Sequence, residues 1–149
     1  MEPFVLSLML ASITTLCLTL LCVPFAWWLC FGQSRSRYWI EPLTNLPLVI
    51  PPTVLGFYLL LAFGLDGSLG QFLDRYLGIR LVFSFEGLVF GSIVFSLPFM
   101  MQPLLSSFRQ VPINLINAAR TIGHSEWIIL WRVILPLAKP GLLAGLILS

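Results

Sequence analysis

Residues 113–141 read INLINAARTIGHSEWIILWRVILPLAKPG. This basic, amphipathic stretch lies between two apolar runs of membrane-spanning character, where a bare linker could be far shorter. Pro112 suits the first turn of a helix, because its missing N–H would find no helical partner there. Beyond it, Leu115, Ile116, Ala118, Ala119 and Ile122 recur at helical spacing and form one apolar stripe. Ala118 and Ala119 are small, which lets another surface approach closely. Gly123 is placed to end this helix, since a left-handed cap costs glycine nothing. Ser125 can cap a second helix, with Glu126 favourable near its positive dipole end. That helix carries Trp127, Trp131 and Ile134, and Pro136 marks its junction with the next apolar run.

Composition sets the surroundings of this segment. Hydrophobic residues make up 58% of the 149 residues and charged residues 9%, against about 25% charged in a soluble domain. Such a chain cannot stay soluble alone, and the fold class expected is an all-α integral membrane helix bundle. The apolar runs predict spans at about 3–31, 46–65 and 87–105 and a partial fourth at 137–149, with the connecting loop at 106–136. The first run, with only Glu2 charged ahead of it, lacks the basic start of a signal peptide and is too long for one, so it reads as a retained anchor. Pro98 and Pro103 in the third run are tolerable where neighbouring helices re-satisfy the freed carbonyls. The fourth run is still going at Ser149, as if the chain were cut within that span.

Orientation follows from the basic residues. Arg35, Arg37, Arg109, Arg120, Arg132 and Lys139 fall on one side, and Arg75 and Arg80 on the other, offset by Asp66, Asp74 and Glu86. The richer side is expected to be cytoplasmic. The N-terminus and the 66–86 loop are then outside, and Ala118-Ala119 inside. A net charge of +2 without a basic cluster gives no sign of a nucleic-acid partner.

Chemistry is hard to find in the chain itself. Nothing matches G-x-x-x-x-G-K-[ST], and the single lysine, Lys139, follows no glycine-rich loop. Cys17, Cys22 and Cys30 share the first apolar run and read as small apolar packers, with no metal-ligand pattern. His124 is the sole histidine and reads as a solvated hinge residue beside Gly123. Gly64, Gly67 and Gly70 indicate a turn. No enzyme is expected.

Pro51-Pro52 cannot donate two successive backbone hydrogen bonds, so the second run should break or kink there. Irregular backbone at membrane depth is tolerated where it is buried or lines a water-filled cavity. Pro51, Pro52, Thr53 and Gly56 are therefore expected to line or shape a translocation path near a gate. A kink that only packs helices is the competing reading.

The run Asn117-Ala118-Ala119, then Gly123, then Val133-Ile134-Leu135-Pro136 resembles the cytoplasmic coupling loop of bacterial ABC-importer permeases. That consensus is Glu-Ala-Ala, three residues, Gly, nine residues, Ile, one residue, Leu-Pro. Every spacing fits, with Asn117 in place of Glu and Val133 in place of Ile. Asn117 offers a neutral hydrogen bond where Glu would offer a charge-assisted one, a change in coupling strength rather than identity. Residues 46–60, LPLVIPPTVLGFYLL, look like the start of the second span in molybdate permeases, and Phe95-Ser96-Leu97-Pro98-Phe99-Met100 extends the resemblance over almost the whole chain.

The resemblance implies a type I ABC-importer permease-like bundle, the multi-pass inner-membrane subunit of a bacterial molybdate importer. It implies a coupling loop made of Asn117, Ala118, Ala119, Arg120, Gly123, Leu135 and Pro136, received by a separate ABC ATPase subunit. It implies a second permease copy, forming a homodimer, and a periplasmic molybdate-binding protein that captures the anion, in keeping with the lack of Arg or Lys within the three full spans. ATP and Mg would sit on the partner ATPase, with no cofactor in this chain. The 66–86 loop, with Arg75 and Arg80, would contribute to the docking surface for the binding protein. A permease of this family continues past Ser149 to a further span. Sulfate/thiosulfate or tungstate permeases of the same family, a non-transporting truncated membrane remnant, and a loop helix that merely lies on lipid are the alternatives.

Overall fold

In a bilayer no water satisfies free backbone groups, so an apolar chain pairs its N–H and C=O groups within helices. The computed structural model describes residues 3–32, 37–64, 67–78 and 81–149, and its regular elements there are helical. In chain order they are α1 Pro3–Phe31, α2 Arg37–Thr44, α3 Leu46–Val49, α4 Pro52–Phe63, α5 Ser68–Leu77, α6 Phe85–Arg109, α7 Ile113–Thr121 and α8 Glu126–Ile129. A π turn, Leu130–Ile134, then leads into α9 Leu135–Leu137 and α10 Lys139–Leu148. Arg35, Asp66 and Arg80, which enter the charge count, lie outside the described residues.

The core is the seam between α1 and α6. Thr14, Leu18, Cys22, Ala26 and Leu29 recur every three or four residues on α1 and are buried. Met100, Met101, Leu104, Leu105 and Phe108 answer them from α6. In both helices the buried residues fall mostly in the C-terminal half, and Cys30 Sγ lies 3.9 Å from the Leu105 carbonyl, so the two run in the same direction.

The third partner runs the other way. Gly141 of α10 faces the Pro103 carbonyl and Ser107, Gly145 faces Met100, and Ser96 Oγ donates to the Ser149 carbonyl at 3.1 Å. Lipid tails are as apolar as leucine, so burial against them supplies little drive and helices associate by close packing, for which paired glycines four apart are suited.

The helical bundle is the one expected from the apolar runs, and its span count depends on how broken and bent helices are counted. Those runs predict three full spans and part of a fourth. Among the described residues two helices qualify by length and composition, α1 and α6, and Glu126–Leu137 with Lys139–Leu148 makes a third if that pair, bent by 78°, counts as one. The expected 46–65 span is divided instead. Ile50 (ψ 127°) and Pro51 (ψ 138°) are both extended, because each precedes a proline and is pushed out of the helical region. The twelve residues of α4 reach about 18 Å at helical rise, short of about 30 Å of hydrocarbon. The third run is longer than its expected 87–105 limits: Ser84 caps α6 by accepting the Gly87 N–H at 3.1 Å, and the helix continues through Pro98 and Pro103 to Arg109.

The fourth run bends at Ala138 (φ −91°, ψ 11°). Pro136 has no N–H for the Arg132 carbonyl and Pro140 none for the Pro136 carbonyl, two gaps one turn apart. The backbone widens ahead of them, with the Leu135 N–H donating to the carbonyl five residues back, Leu130. Much of the expected 106–136 loop is therefore itself helical.

Candidate functional site

Helix α7 packs at the end of the bundle where α6 finishes. Pro112 is its N-cap, and the Leu115 N–H donates to the Pro112 carbonyl at 3.0 Å. Ile116 and Ala119 turn inward and are buried in the cluster that also holds Phe108, Val111, Ile129 and Leu130. The single stripe expected from spacing is thus split in two. Leu115, Ala118 and Ile122, at i, i+3 and i+7, stay outside, with Ile122 75% exposed. Asn117 is exposed, and its carbonyl accepts from Thr121 Oγ1 at 2.9 Å. One side of α7 is fixed to the bundle, and a small apolar strip is presented outward.

The helix ends in a full Schellman arrangement. Gly123 takes φ +89°, its N–H donates to the Arg120 carbonyl at 2.9 Å, and the His124 N–H donates to the Ala119 carbonyl at 3.2 Å. A side chain at 123 would have room but the wrong backbone conformation. Arg120 then reaches over this break to Glu126, with Nε to Oε1 at 2.7 Å and a second bond to Oε2 at 3.0 Å. That hydrogen bond chiefly, helped by Coulombic attraction and opposed by slight burial, holds the Arg120 guanidinium above its ordinary pKa. Both side chains are substantially exposed, so the clasp contributes at most about 1 kcal/mol.

Ser125 occupies the N-cap of α8, but its side chain makes no cap bond. Trp127 instead fixes α8 laterally, its ring 6.3 Å from that of Trp27 on α1. Leu135 and Pro136 lie beyond the π turn, in the joint between α8 and α10, and belong to the bend rather than to α7.

The four residues of the expected gate separate into two pairs. Pro51 and Pro52 sit at the break, exposed, as N-cap and first residue of α4. Thr53 and Gly56 line an apolar cleft of about 1050 Å³ between α4 and the first half of α6, with Leu59, Phe63, Phe90 and Phe95. Phe63 and Phe90 meet edge to face at 5.0 Å across it. A methyl group at Gly56 would meet nothing within 4 Å, so this glycine is not required by packing within the chain.

Two polar ties and one packing motif escape the sequence reading. Arg109 pairs with Glu41 of α2 at 2.6 Å, and Gln102 Nε2 donates to Asn45 Oδ1, ahead of α3, at 2.6 Å. Neither has a local signal, since the partners are 68 and 57 positions apart. Gly141 and Gly145 did carry one, a G-x-x-x-G spacing within an apolar run.

Comparison with known proteins bears on this geometry. Residues 22–149 match the family described as "Binding-protein-dependent transport system inner membrane component". The chain is 44% identical over 145 residues to the "Molybdenum transport system permease protein ModB" of Azotobacter vinelandii, covering 97% of this chain and 64% of that one. The protein of the same name from Escherichia coli is 33% identical over 148 residues, covering 99% and 65%. "Sulfate permease 2, chloroplastic" of Chlamydomonas reinhardtii is 33% identical over 143 residues, covering 96% and 38%. The chain spans less than two thirds of the length of each of these relatives.

Proposed function

The chain belongs to the binding-protein-dependent transport system inner membrane components, and from that premise we propose that it is the permease subunit of an ATP-driven molybdate importer. A multi-pass inner-membrane protein with two long apolar helices and a short outward-facing helix at one end is suited to transport rather than to catalysis. Coupling to a separate ATPase rests on one observation above all. Helix α7 is anchored by Ile116 and Ala119, stopped by Gly123, and offers Leu115, Ala118 and Ile122 outward. A rigidly held helix with a small, apolar, water-facing strip fits a surface groove on a partner protein.

In this reading the ATPase grips α7 from the cytoplasm, the side favoured by the six-to-two distribution of Lys and Arg. ATP with Mg on the partner closes the two ATPases. Two permease copies then tilt their helices as rigid bodies, exchanging an inward for an outward opening. A periplasmic binding protein delivers the oxyanion. Asn117, Ala118, Ala119, Arg120 and Gly123 make up the coupling helix and its stop, while Leu135 and Pro136 form the joint behind it. Thr53 and Gly56 face the path, and Pro51 and Pro52 set the angle of the helix that bears them. Molybdate is favoured over sulfate because the relatives named for molybdenum transport reach the higher identity.

The test is direct. Ala118→Arg should abolish co-purification of the permease with its ATPase and abolish molybdate uptake, while leaving the permease in the membrane. Retained co-purification and uptake would refute the coupling role. Uptake of labelled molybdate that excess sulfate suppresses as well as excess molybdate would favour the sulfate reading.

A further inference from the structure

The 66–86 loop reads from sequence as a docking surface for a soluble binding protein, but it contains a helix of a different character. On α5, Leu69, Phe72 and Tyr76 recur at i, i+3 and i+7 and are all exposed, Tyr76 by 71%. Gln71, Asp74 and Arg75 occupy the opposite sector. The Phe72 and Tyr76 rings lie 4.8 Å apart and form one continuous aromatic face.

The position of α5 is fixed by glycines. A Cβ at Gly67 would collide with the Leu61 and Ala62 carbonyls, and one at Gly70 with those of Phe63 and Gly64. The first turn of α5 therefore lies directly on the last turn of α4, with Gly70 buried against it. At the far end Gly78 closes the helix in a left-handed cap (φ 64°). The apolar face of α5 thus begins where α4 ends, and α4 itself exposes Phe57, Tyr58, Leu60 and Leu61.

A second residue at the same end is independent of α5. Phe83, just before α6, holds φ 57° and is 98% exposed. Among the described residues it is the sole non-glycine residue with positive φ. That conformation costs an L residue about 1–2 kcal/mol, and here it displays a 98% exposed aromatic ring at the edge of the apolar cleft between α4 and α6.

We infer that α5 and Phe83 form an interfacial anchor, with Leu69, Phe72, Tyr76 and Phe83 embedded among lipid headgroups and upper acyl chains of the leaflet opposite α7. Lipid is favoured over a soluble partner because a protein-docking surface would return these rings to water whenever the partner left. A permanent apolar boundary continuous with α4 never does. Tyrosine at its rim suits the headgroup level. The polar sector carries Asp74 and Arg75, one charge of each sign, so attachment would come from apolar contact rather than attraction to anionic lipid. The anchor would hold the outer ends of α4 and α6 at a fixed depth on either side of the apolar cleft.

The experiment places the photo-crosslinking residue p-benzoylphenylalanine at 72, 76 and 83, and at 71 and 75 as controls, in the permease in its native membrane. Phospholipid adducts found by mass spectrometry should be several-fold more abundant at the first three positions than at the controls. Adducts to the binding protein or to a second permease copy at 72 or 76 would overturn the inference, as would equal lipid labelling at all five positions. The unmodified protein supplies an independent readout in lipid nanodiscs. Hydroxyl radicals should spare Tyr76 and Phe83, and strong labelling of both would overturn the anchor without any variant. Failure here would leave the coupling role of α7 untouched, since that is read from ATPase binding.

Discussion

Two glycines in apolar helices should respond oppositely to the same added methyl group. At Gly141 a Cβ would collide with the Pro103 carbonyl and the Ser107 side chain. The serine can rotate, but the carbonyl is backbone of α6, so α10 must move away. Overpacking of this kind costs roughly 1–3 kcal/mol, and replacing a helical glycine by alanine returns about 0.5–1 kcal/mol. Gly141→Ala should therefore lose about 1–2 kcal/mol. At Gly56 nothing lies within 4 Å of the new methyl, and Gly56→Ala should gain about 0.5–1 kcal/mol from propensity alone. The gap of roughly 2 kcal/mol corresponds to about 4–8 °C in Tm for a chain near this size. Parallel thermal unfolding in nanodiscs at one scan rate would measure it. A Gly141→Ala protein at or above the wild-type Tm would refute the close α6–α10 contact. A Gly56→Ala protein that keeps its Tm but loses uptake would assign Gly56 to the transport path instead.

Gly123→Val forces a β-branched residue to φ +89° and should cost about 1–2 kcal/mol or more; uptake should fall while ATP hydrolysis persists, and normal coupled transport would count against α7 as the coupling element. A double-mutant cycle on Arg120→Ala and Glu126→Ala, read by thermal stability of the isolated permease, should give a coupling energy below about 1 kcal/mol because the pair is exposed. Neither Pro51→Ala nor Pro52→Ala alone should mend the α3–α4 break, since each leaves one residue forced to extend before a proline. The double substitution should, and spin labels at 46 and 60 would then lie about 21 Å apart. Glu41→Gln should lower stability by no more than about 1 kcal/mol, as its pair with Arg109 is partly exposed, and a collapse of the fold on heating would show the pair to be more deeply involved.

What was legible in the sequence follows the range of the forces involved. The helices α1 and α6 announce themselves because an unbroken apolar run of that length has few other solutions. The Pro51-Pro52 break was equally plain, but not that its two halves would be too short to count as a span. Pro136 alone suggests a junction; the 78° bend needs Pro140 as well, one turn on, and the pair acts together. On α7 the periodicity located the helix and Gly123 its end. Spacing cannot say which half of a stripe faces the protein. Ala118 and Ala119 differ by one 100° step, and that step separates a water-facing residue from a buried one. The glycines at 64, 67 and 70 obscured α5 because they read as turn chemistry. Their actual service is to let two helices meet end to end without side chains between them.

Arg109 shows where local reading stops. In a charge count it is one of six basic residues on the side expected to be cytoplasmic, a reading that needs only its position. The fold gives it a second role through Glu41, and gives Gln102 one through Asn45. Both ties join α6 to the segment leading into the Pro51-Pro52 break. Phe108 and Val111, at the end of the same helix, pack in the cluster with Ile116 and Ala119 of α7. A displacement of α7 therefore meets close-packed side chains first, which transmit it because cores resist deformation. The polar ties lie next, linking that end of α6 to α2 and α3. The line from α7 to the wall bearing Thr53 and Gly56 runs through contacts between residues far apart in sequence, which is why each end of it could be read from the chain and the middle could not.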